Sequence, residues 1–328
     1  MPNPSTLLPL KVAEIRELTP LVRWLRLEHA GGQPLPGHDA GAHIRVRVDL
    51  PDGGSDWRHY SLIDLVVDAP AGRTMSSYTI AVRREDAGRG GSRFMHALQV
   101  GQALEVEPPR NDFPLGLHAS TVLLAGGIGV TPIMSMAADC LRRGAPVRMV
   151  YAGRDPGSLA FVPELQSLLG ERLRLHVDAE AGGPLDVAAV LDGCGSEEHV
   201  YVCGPQPMLD AVLTAAEQRG WPRERVHFEL FTAPAAGAGD QPFEVVLAQA
   251  GITLTVPADR SLLDCLIDAG QDPLYDCQRG ECGVCAVTVI EGVPDHRDYV
   301  LNAKERESGT VMHPCVSRCQ GKRLVLEL

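Results

Sequence analysis

Three cysteines near the end of the chain stand at fixed intervals: Cys277, Cys282 and Cys285, in Asp276-Cys277-Gln278-Arg279-Gly280-Glu281-Cys282-Gly283-Val284-Cys285. A fourth, Cys315, follows after 29 intervening residues, in His313-Pro314-Cys315-Val316-Ser317-Arg318. A C-x4-C-x2-C run with a distant fourth cysteine is a spacing at which four thiolates hold a [2Fe–2S] cluster. The loop has to curl around that cluster, and Gly280 and Gly283 permit the left-handed turns and close backbone approach this demands. Backbone N–H groups can then point at the sulfurs and stabilise their negative charge. A structural zinc site would more often present two C-x2-C pairs. Disulfides need an oxidising compartment, and nothing marks the chain as secreted. Unpaired core cysteines have no reason to fall at these intervals. The iron–sulfur reading leads, and the rest of the chain must supply and receive the electrons.

The 328 residues allow two or three domains. A net charge of −12 argues against nucleic acid or an anionic membrane as main partner. No apolar run reaches the length of a transmembrane helix. The start, Met1-Pro2-Asn3-Pro4-Ser5-Thr6, lacks the basic and apolar regions of a signal peptide. Nine cysteines, four of them read as reduced ligands, fit a reducing cytoplasm, and a monomer is expected. Small residues without periodicity from Ala233 to Gln241 read as a linker, setting residues 1–232 apart from an 87-residue tail, 242–328.

The first part, residues 1–115, reads as short strands and turns. His43 to Leu50 alternates strictly, and Tyr78–Arg83 and Ala103–Val106 are further strands, so an antiparallel β-barrel is expected. Two stretches in it carry chemistry. In Arg58-His59-Tyr60-Ser61, Arg58 could hold a phosphate and Tyr60 could lie on an aromatic ring. In Gly88-Arg89-Gly90-Gly91-Ser92, the glycines expose backbone N–H groups and Ser92 could cap the following helix. Either stretch alone reads equally well as surface and packing residues.

Residues 116–232 alternate strand and helix, which implies a parallel α/β sheet with ligands at the strands' carboxyl ends. Thr121–Ala125, Val147–Tyr151, Leu173–Val177, His199–Cys203 and Val226–Phe231 are its strands. The first runs into Gly126-Gly127-Ile128-Gly129-Val130-Thr131-Pro132, where a pyrophosphate could approach, with Thr131 as candidate N-cap. The fourth ends in Cys203-Gly204-Pro205, where a thiol can stand beside a nicotinamide ring, although a cysteine ending a core strand is by default packing. Arg154 and Asp155 follow the second strand; Arg154 could bind a 2′-phosphate, and Asp155 would repel one. In the tail, Phe243–Val256 reads as a hairpin, Ser261 as a helix cap, and Gly292-Val293-Pro294-Asp295-His296-Arg297-Asp298 as a polar surface stretch.

R-x-Y-S followed about 30 residues later by G-x-G-G-S resembles the flavin-binding barrel of the ferredoxin–NADP reductase superfamily. The C-G-P-x-P-M run is similar to its nicotinamide site, and the tail resembles a plant-type ferredoxin of β-grasp fold. Taken together, the order of modules, G-G-I-G-V-T-P, C-G-P and the D-H-R-D stretch resemble the phthalate dioxygenase reductase family, over about residues 10 to 328. That family includes the reductases of vanillate O-demethylase and carnitine monooxygenase. The resemblance implies FMN, NADH and a [2Fe–2S] cluster, with electrons passed singly to a Rieske-type oxygenase in a transient complex. Ferredoxin-first reductases usually carry FAD, so this order favours FMN. It implies flavin contacts from Arg58, His59, Tyr60, Ser61, Ala81, Val82, Arg83, Gly90, Gly91 and Ser92. It implies nucleotide contacts from Gly126, Gly127, Gly129, Thr131, Arg154, Gly204 and Pro205. Cys203 and Phe231 would flank the reacting rings. It also selects Cys315 over Cys319 as fourth ligand, because such domains carry that ligand in C-V-S-R. Two other readings stay open: a reductase for a cytochrome P450 or another acceptor, and a redox sensor with no oxygenase partner.

Overall fold

The computed structural model describes residues 7–70, 73–232, 237 and 239–328. These divide into two compact units, one up to Glu229 and one from Leu230 onward.

The first unit holds two sheets. The first comprises β1 (Leu8–Thr19), β2 (Val22–His29), β3 (His43–Asp49), β4 (Ser55–Ser61), β5 (Tyr78–Arg83) and β6 (Ala103–Val106). They run in the order β4-β3-β6-β1-β2-β5, every neighbouring pair antiparallel. Just past β4, the Ile63 N–H donates to the Thr79 carbonyl of β5 at 2.9 Å, so the two outer strands meet and the sheet closes towards a barrel. The alternation read in β3 puts Ile44, Val46 and Val48 inside, all fully buried with Leu10, Leu25, Tyr78 and Ile80. Each such aliphatic side chain stabilises the fold by about 1.5–3 kcal/mol. A short helix, α1 (Gly91–Ala97), follows β5.

The second sheet is parallel and five-stranded, in the order β11-β10-β7-β8-β9. Its strands are β7 (Ser120–Gly126), β8 (Val147–Gly153), β9 (Leu173–Val177), β10 (Glu198–Cys203) and β11 (Val226–Glu229). The inner stretches of the central ones, residues 122–125 of β7 and 200–203 of β10, are buried and largely apolar because both faces are covered. The covering helices are α2 (Val130–Arg142), α3 (Val162–Leu169), α4 (Asp178–Ala181), α5 (Val187–Asp192) and α6 (Gln206–Gln218). The two sheets are joined at Ser135 of α2. Its hydroxyl donates to the Leu62 carbonyl at 3.0 Å and accepts from the Asp64 N–H at 3.1 Å.

The second unit has the order β13-β12-β18-β14-β16, from β12 (Phe243–Leu247), β13 (Ile252–Val256), β14 (Val287–Glu291), β16 (Val311–Met312) and β18 (Arg323–Leu326). β15 (Pro294–Asp295) pairs with β17 (Arg318–Cys319). Helices α7 (Leu262–Asp268) and α8 (Ala303–Ser308) complete it, and the Ser261 side chain caps α7 by accepting from Asp264 N–H at 3.0 Å. No helix among the described residues is long and apolar enough to cross a membrane.

Several local expectations are overturned. Ser92 does not cap α1: the helix starts one residue earlier, and the Ser92 hydroxyl accepts from the Glu85 N–H at 2.9 Å. Thr131 does not cap α2, because a 3-10 turn over Gly127–Gly129 already winds the chain and the Thr131 hydroxyl donates back to the Ile128 carbonyl. β11 stops at Glu229, short of Phe231. Of the expected surface stretch from Gly292 to Asp298, Gly292 and Val293 are exposed, but the chain then turns inward. Asp298 is buried, accepting from the Val300 and Leu301 N–H groups at 3.0 and 2.8 Å. Of the expected linker, residues 233–236 and 238 lie outside the described residues. Its later part belongs to the second unit, where Asp240 pairs with Arg297 at 2.8 Å.

Candidate functional site

The carboxyl end of the parallel sheet is built by glycines. β10 ends at Cys203, in register with Ala125 of β7 and Glu229 of β11. A Cβ on Gly129 would come within 2.2 Å of the Cys203 carbonyl oxygen, and one on Gly126 within 2.6 Å of Pro205 Cδ. The G-G-I-G turn and Cys203-Gly204-Pro205 therefore pack backbone to backbone, which no side chain would allow. Gly127 has φ +54 with open space where a Cβ would stand, and the Tyr151 hydroxyl donates to its carbonyl at 3.1 Å. Cys203 itself is buried. Gly126, Gly127, Gly129, Gly204, Pro205 and Cys203 thus share one place, and Thr131, turned back on Ile128, is in the first turn of α2. Arg154 and Asp155 lie exposed just past β8.

On the barrel, β4 turns its residues to two faces. Arg58 and Tyr60 share one; Tyr60 packs on the core, where burial pushes its phenol up. His59 and Ser61 share the other, and His59 stacks on His43 with ring centroids 4.7 Å apart. His59 is thereby separated from Arg58 and Tyr60. A Cβ on Gly91 would meet Arg58 Nε at 2.9 Å, so the glycine turn lies directly beside that guanidinium. Arg58 also pairs with Asp56. Gly90 has φ +101 and sits against Pro51. Ser92 turns away to Glu85. Ala81, Val82 and Arg83 lie on the outer strand β5, where the Val82 carbonyl lies 2.8 Å from His96 Nε2 and Arg83 pairs with Glu85 at 2.8 Å.

In the second unit the cysteine loop carries three left-handed residues, Gln278 (φ 55), Gly280 (φ 79) and Gly283 (φ 75). A Cβ on Gly280 would strike Val316 at 2.7 Å, so the loop is pressed against the segment bearing Cys315. The sulfurs of Cys285 and Cys315 lie 3.4 Å apart. Two thiolates on one tetrahedral metal with bonds of about 2.3 Å stand roughly 3.7 Å apart, so the pair fits a shared iron. Cys277 and Cys282 form the second pair, and the Arg279 N–H points at Cys277 Sγ at 3.3 Å. Partial desolvation by the loop pushes the Cys282 thiol up to about 11, while the hydrogen bond shared with Cys315 draws Cys285 down to about 6. Cys319 stands apart, its sulfur 3.2 Å from the Gly321 N–H.

Behind the loop lies a support that sequence reasoning missed. Asp298, besides its two N–H partners, is 3.5 Å from His313 Nδ1, two residues before Cys315. Arg279 pairs with Glu281 at 2.8 Å, and Glu281 accepts from the Leu230 N–H at 2.7 Å. Charged residues set inside the cysteine run were the available signal. Phe231 follows Leu230 within this unit.

The profile described as the oxidoreductase NAD-binding domain matches residues 123–214, and that of the 2Fe-2S iron–sulfur cluster binding domain matches residues 245–320. The toluene-4-sulfonate monooxygenase system reductase subunit of Comamonas testosteroni is 44% identical over 98% of both chains. The phthalate dioxygenase reductase of Burkholderia cepacia is 37% identical, over 100% of this chain and 99% of its own. The chain belongs to the phthalate dioxygenase reductase family. A solved phthalate dioxygenase reductase, described as a modular structure for electron transfer from pyridine nucleotides to [2Fe-2S], superposes with a TM-score of 0.72 at 37% identity, covering 99% of this chain and 98% of that one. An intact type IV self-sufficient cytochrome P450 monooxygenase gives 0.70 at 34% identity, with this chain spanning 41% of its length. The reductase is accordingly an oxidoreductase of three parts: an antiparallel barrel, an NAD-binding domain with a parallel sheet, and a [2Fe–2S] domain.

Proposed function

We propose that this reductase takes electrons from NADH through FMN to its [2Fe–2S] cluster and delivers them singly to a separate Rieske-type oxygenase. The observation that carries the reading is the packing of Gly129 and Gly126 on Cys203-Gly204-Pro205, in a chain that also bears four converging cysteines. A bound FMN supplies the conversion between a two-electron donor and a one-electron acceptor. The protein's task is then positioning. Gly90, Gly91 and Arg58 offer N–H groups and a guanidinium to a phosphate, Tyr60 with the β5 backbone of Ala81 to Arg83 borders the ring, and Ser61, whose side chain points to the other face of β4, would meet it through its main chain. Gly126, Gly127, Gly129, Gly204 and Pro205 leave room for a nicotinamide dinucleotide, with Cys203 at the reacting end. Phe231 is proposed as a ring neighbour. Cys277, Cys282, Cys285 and Cys315 hold the cluster.

The oxygenase partner is supported by relatives that are reductase subunits of oxygenase systems. We place the protein in the cytoplasm as a monomer that docks transiently. The likeness to a P450 monooxygenase favours one second reading, a P450 acceptor.

Flavin released by heat and resolved by liquid chromatography tests the cofactor: FMN is expected, and FAD would overturn it. Reconstitution with the Rieske oxygenase and with P450 enzymes of the same organism tests the acceptor. NADH-driven turnover with the oxygenase is expected. Turnover with a P450 alone would select the second reading.

A further inference from the structure

Away from the strands' carboxyl ends, three histidines distant in sequence meet: His118, just ahead of β7, His199 on β10 and His227 on β11. Each is half-buried, and each offers one ring nitrogen to a group whose atoms all lie within 4.8 Å of one another. We propose that they form a binding site for one late first-row divalent cation of the zinc type.

The register builds the site. β10 and β11 place Tyr201 opposite His227, and β10 and β7 place His199 opposite Thr121, near the amino ends of these parallel strands. His199 Nδ1 and His227 Nε2 are 3.0 Å apart. Two nitrogens bound to one metal at about 2.1 Å stand roughly 3.0–3.4 Å apart, so this pair is already spaced as neighbouring ligands. Two imidazolium N–H groups could not face each other at that distance; the pair must share one proton or give it up to a cation. The His118 and His199 rings are stacked, centroids 3.6 Å apart and 10° between planes, so their in-plane lone pairs run parallel and one of the two rings has to turn about its Cβ–Cγ bond for both to meet one cation.

Tyr201 orients the group. Its hydroxyl accepts from the Gly116 N–H at 2.9 Å and lies 2.8 Å from His118 Nε2, leaving the other nitrogen of that ring for a ligand bond. Its ring stacks on His227 with centroids 4.3 Å apart. A hydrogen bond fixing the second ring nitrogen is the usual support of a metal-ligating histidine. Arg143, whose charge reaches His118, is paired with Asp139. A donor set of imidazoles suits zinc, nickel or copper rather than the oxygen-seeking magnesium or calcium. The cation would tie the segment entering β7 to β10 and β11, at the end of the sheet opposite Cys203.

The test is equilibrium dialysis of the full-length, flavin- and cluster-loaded protein against micromolar Zn2+, with zinc and iron then counted by mass spectrometry. One zinc per chain beyond the cluster iron is expected in the wild type and none in His118→Gln or His227→Gln. Tyr201→Phe should bind about tenfold more weakly. X-ray absorption at the zinc edge of the wild type needs no variant to fold, and nitrogen scatterers are expected. The rate of flavin reduction by NADH should be the same with and without zinc. Zinc retained equally by His227→Gln, sulfur scatterers, or no zinc in the wild type would overturn the proposal; the last would leave the trio as a proton-sharing stack.

Discussion

Gly129 lies so close to Cys203 that a β-carbon on it would stand 2.2 Å from the Cys203 carbonyl oxygen. That atom belongs to the backbone of a central strand and cannot yield. The G-G-I-G turn and the end of β10 are therefore one rigid corner, and in the proposed site the room for a nicotinamide would depend on a missing methyl group.

Gly129→Ala should push this turn off the strand end. Flavin reduction by NADH is expected to slow about a hundredfold, the usual cost of roughly an ångström of misplacement. Stopped-flow absorbance would measure it. Cluster reduction by dithionite should be unchanged.

Cys315→Ser should abolish the electron paramagnetic resonance signal of the reduced cluster and leave flavin reduction intact, whereas Cys319→Ser should retain the signal. The opposite pattern would exchange the fourth ligand.

Asp240 tests the anchoring of the second unit. Its hydrogen bond with Arg297 lowers the carboxyl to about 2. Unfolded aspartate titrates near ~3.9, so the pair stabilises the fold fully above that pH and the contribution is lost as pH falls towards 2. In denaturant melts at neutral pH, Asp240→Asn should cost about 1 kcal/mol, allowing for partial exposure. The gap between variant and wild type should close between pH 4 and 2, within the range set by ~3.9 and about 2. A gap independent of pH would assign the loss to packing.

Arg154 and Asp155 stand exposed where an adenosine ribose would reach past β8, and the acidic neighbour disfavours a 2′-phosphate. NADH should have the higher kcat/KM. A tenfold advantage for NADPH, about 1.4 kcal/mol, would reverse the assignment.

Residues 242–328 carry 13 Asp and Glu against 8 Lys and Arg, a net charge of −5 before the cluster is counted. A partner steered by this surface should present a basic patch. Raising ionic strength shortens the screening length from about 30 Å at ~0.01 M to about 8 Å at ~0.15 M. Electron delivery to the oxygenase should slow over that range while flavin reduction by NADH holds constant. Equal sensitivity of both steps would argue against charge-steered docking.

Much of this was legible in sequence because periodicity and spacing are local. The bounds of β5, β6 and β9 follow from their local pattern of apolar and polar residues, and the cysteine loop from its glycines and intervals. What stayed hidden depends on partners far along the chain. Ser92 and Thr131 look like caps until a preceding turn or a distant carbonyl claims their hydroxyls. His59 looks like a neighbour of Arg58 until pleating sends it to the other face. Asp298 looks solvated until Val300 and Leu301 fold their N–H groups onto it. His118, His199 and His227 have no common motif, since strand register alone brings them together.

Of the four cysteines proposed to hold the cluster, Cys282 is exposed and Cys277 partly so, while Cys285 and Cys315 are buried. With these four as its ligands, the cluster would have a drier side at Cys285 and Cys315 and a wetter rim at Cys282, where its electrons would come within reach. A rim open to a protein acceptor is open to dioxygen as well. A reduced chain waiting without its partner should leak there, making superoxide at a rate set by how long the rim stays uncovered, and docking would then protect the electron as well as collect it.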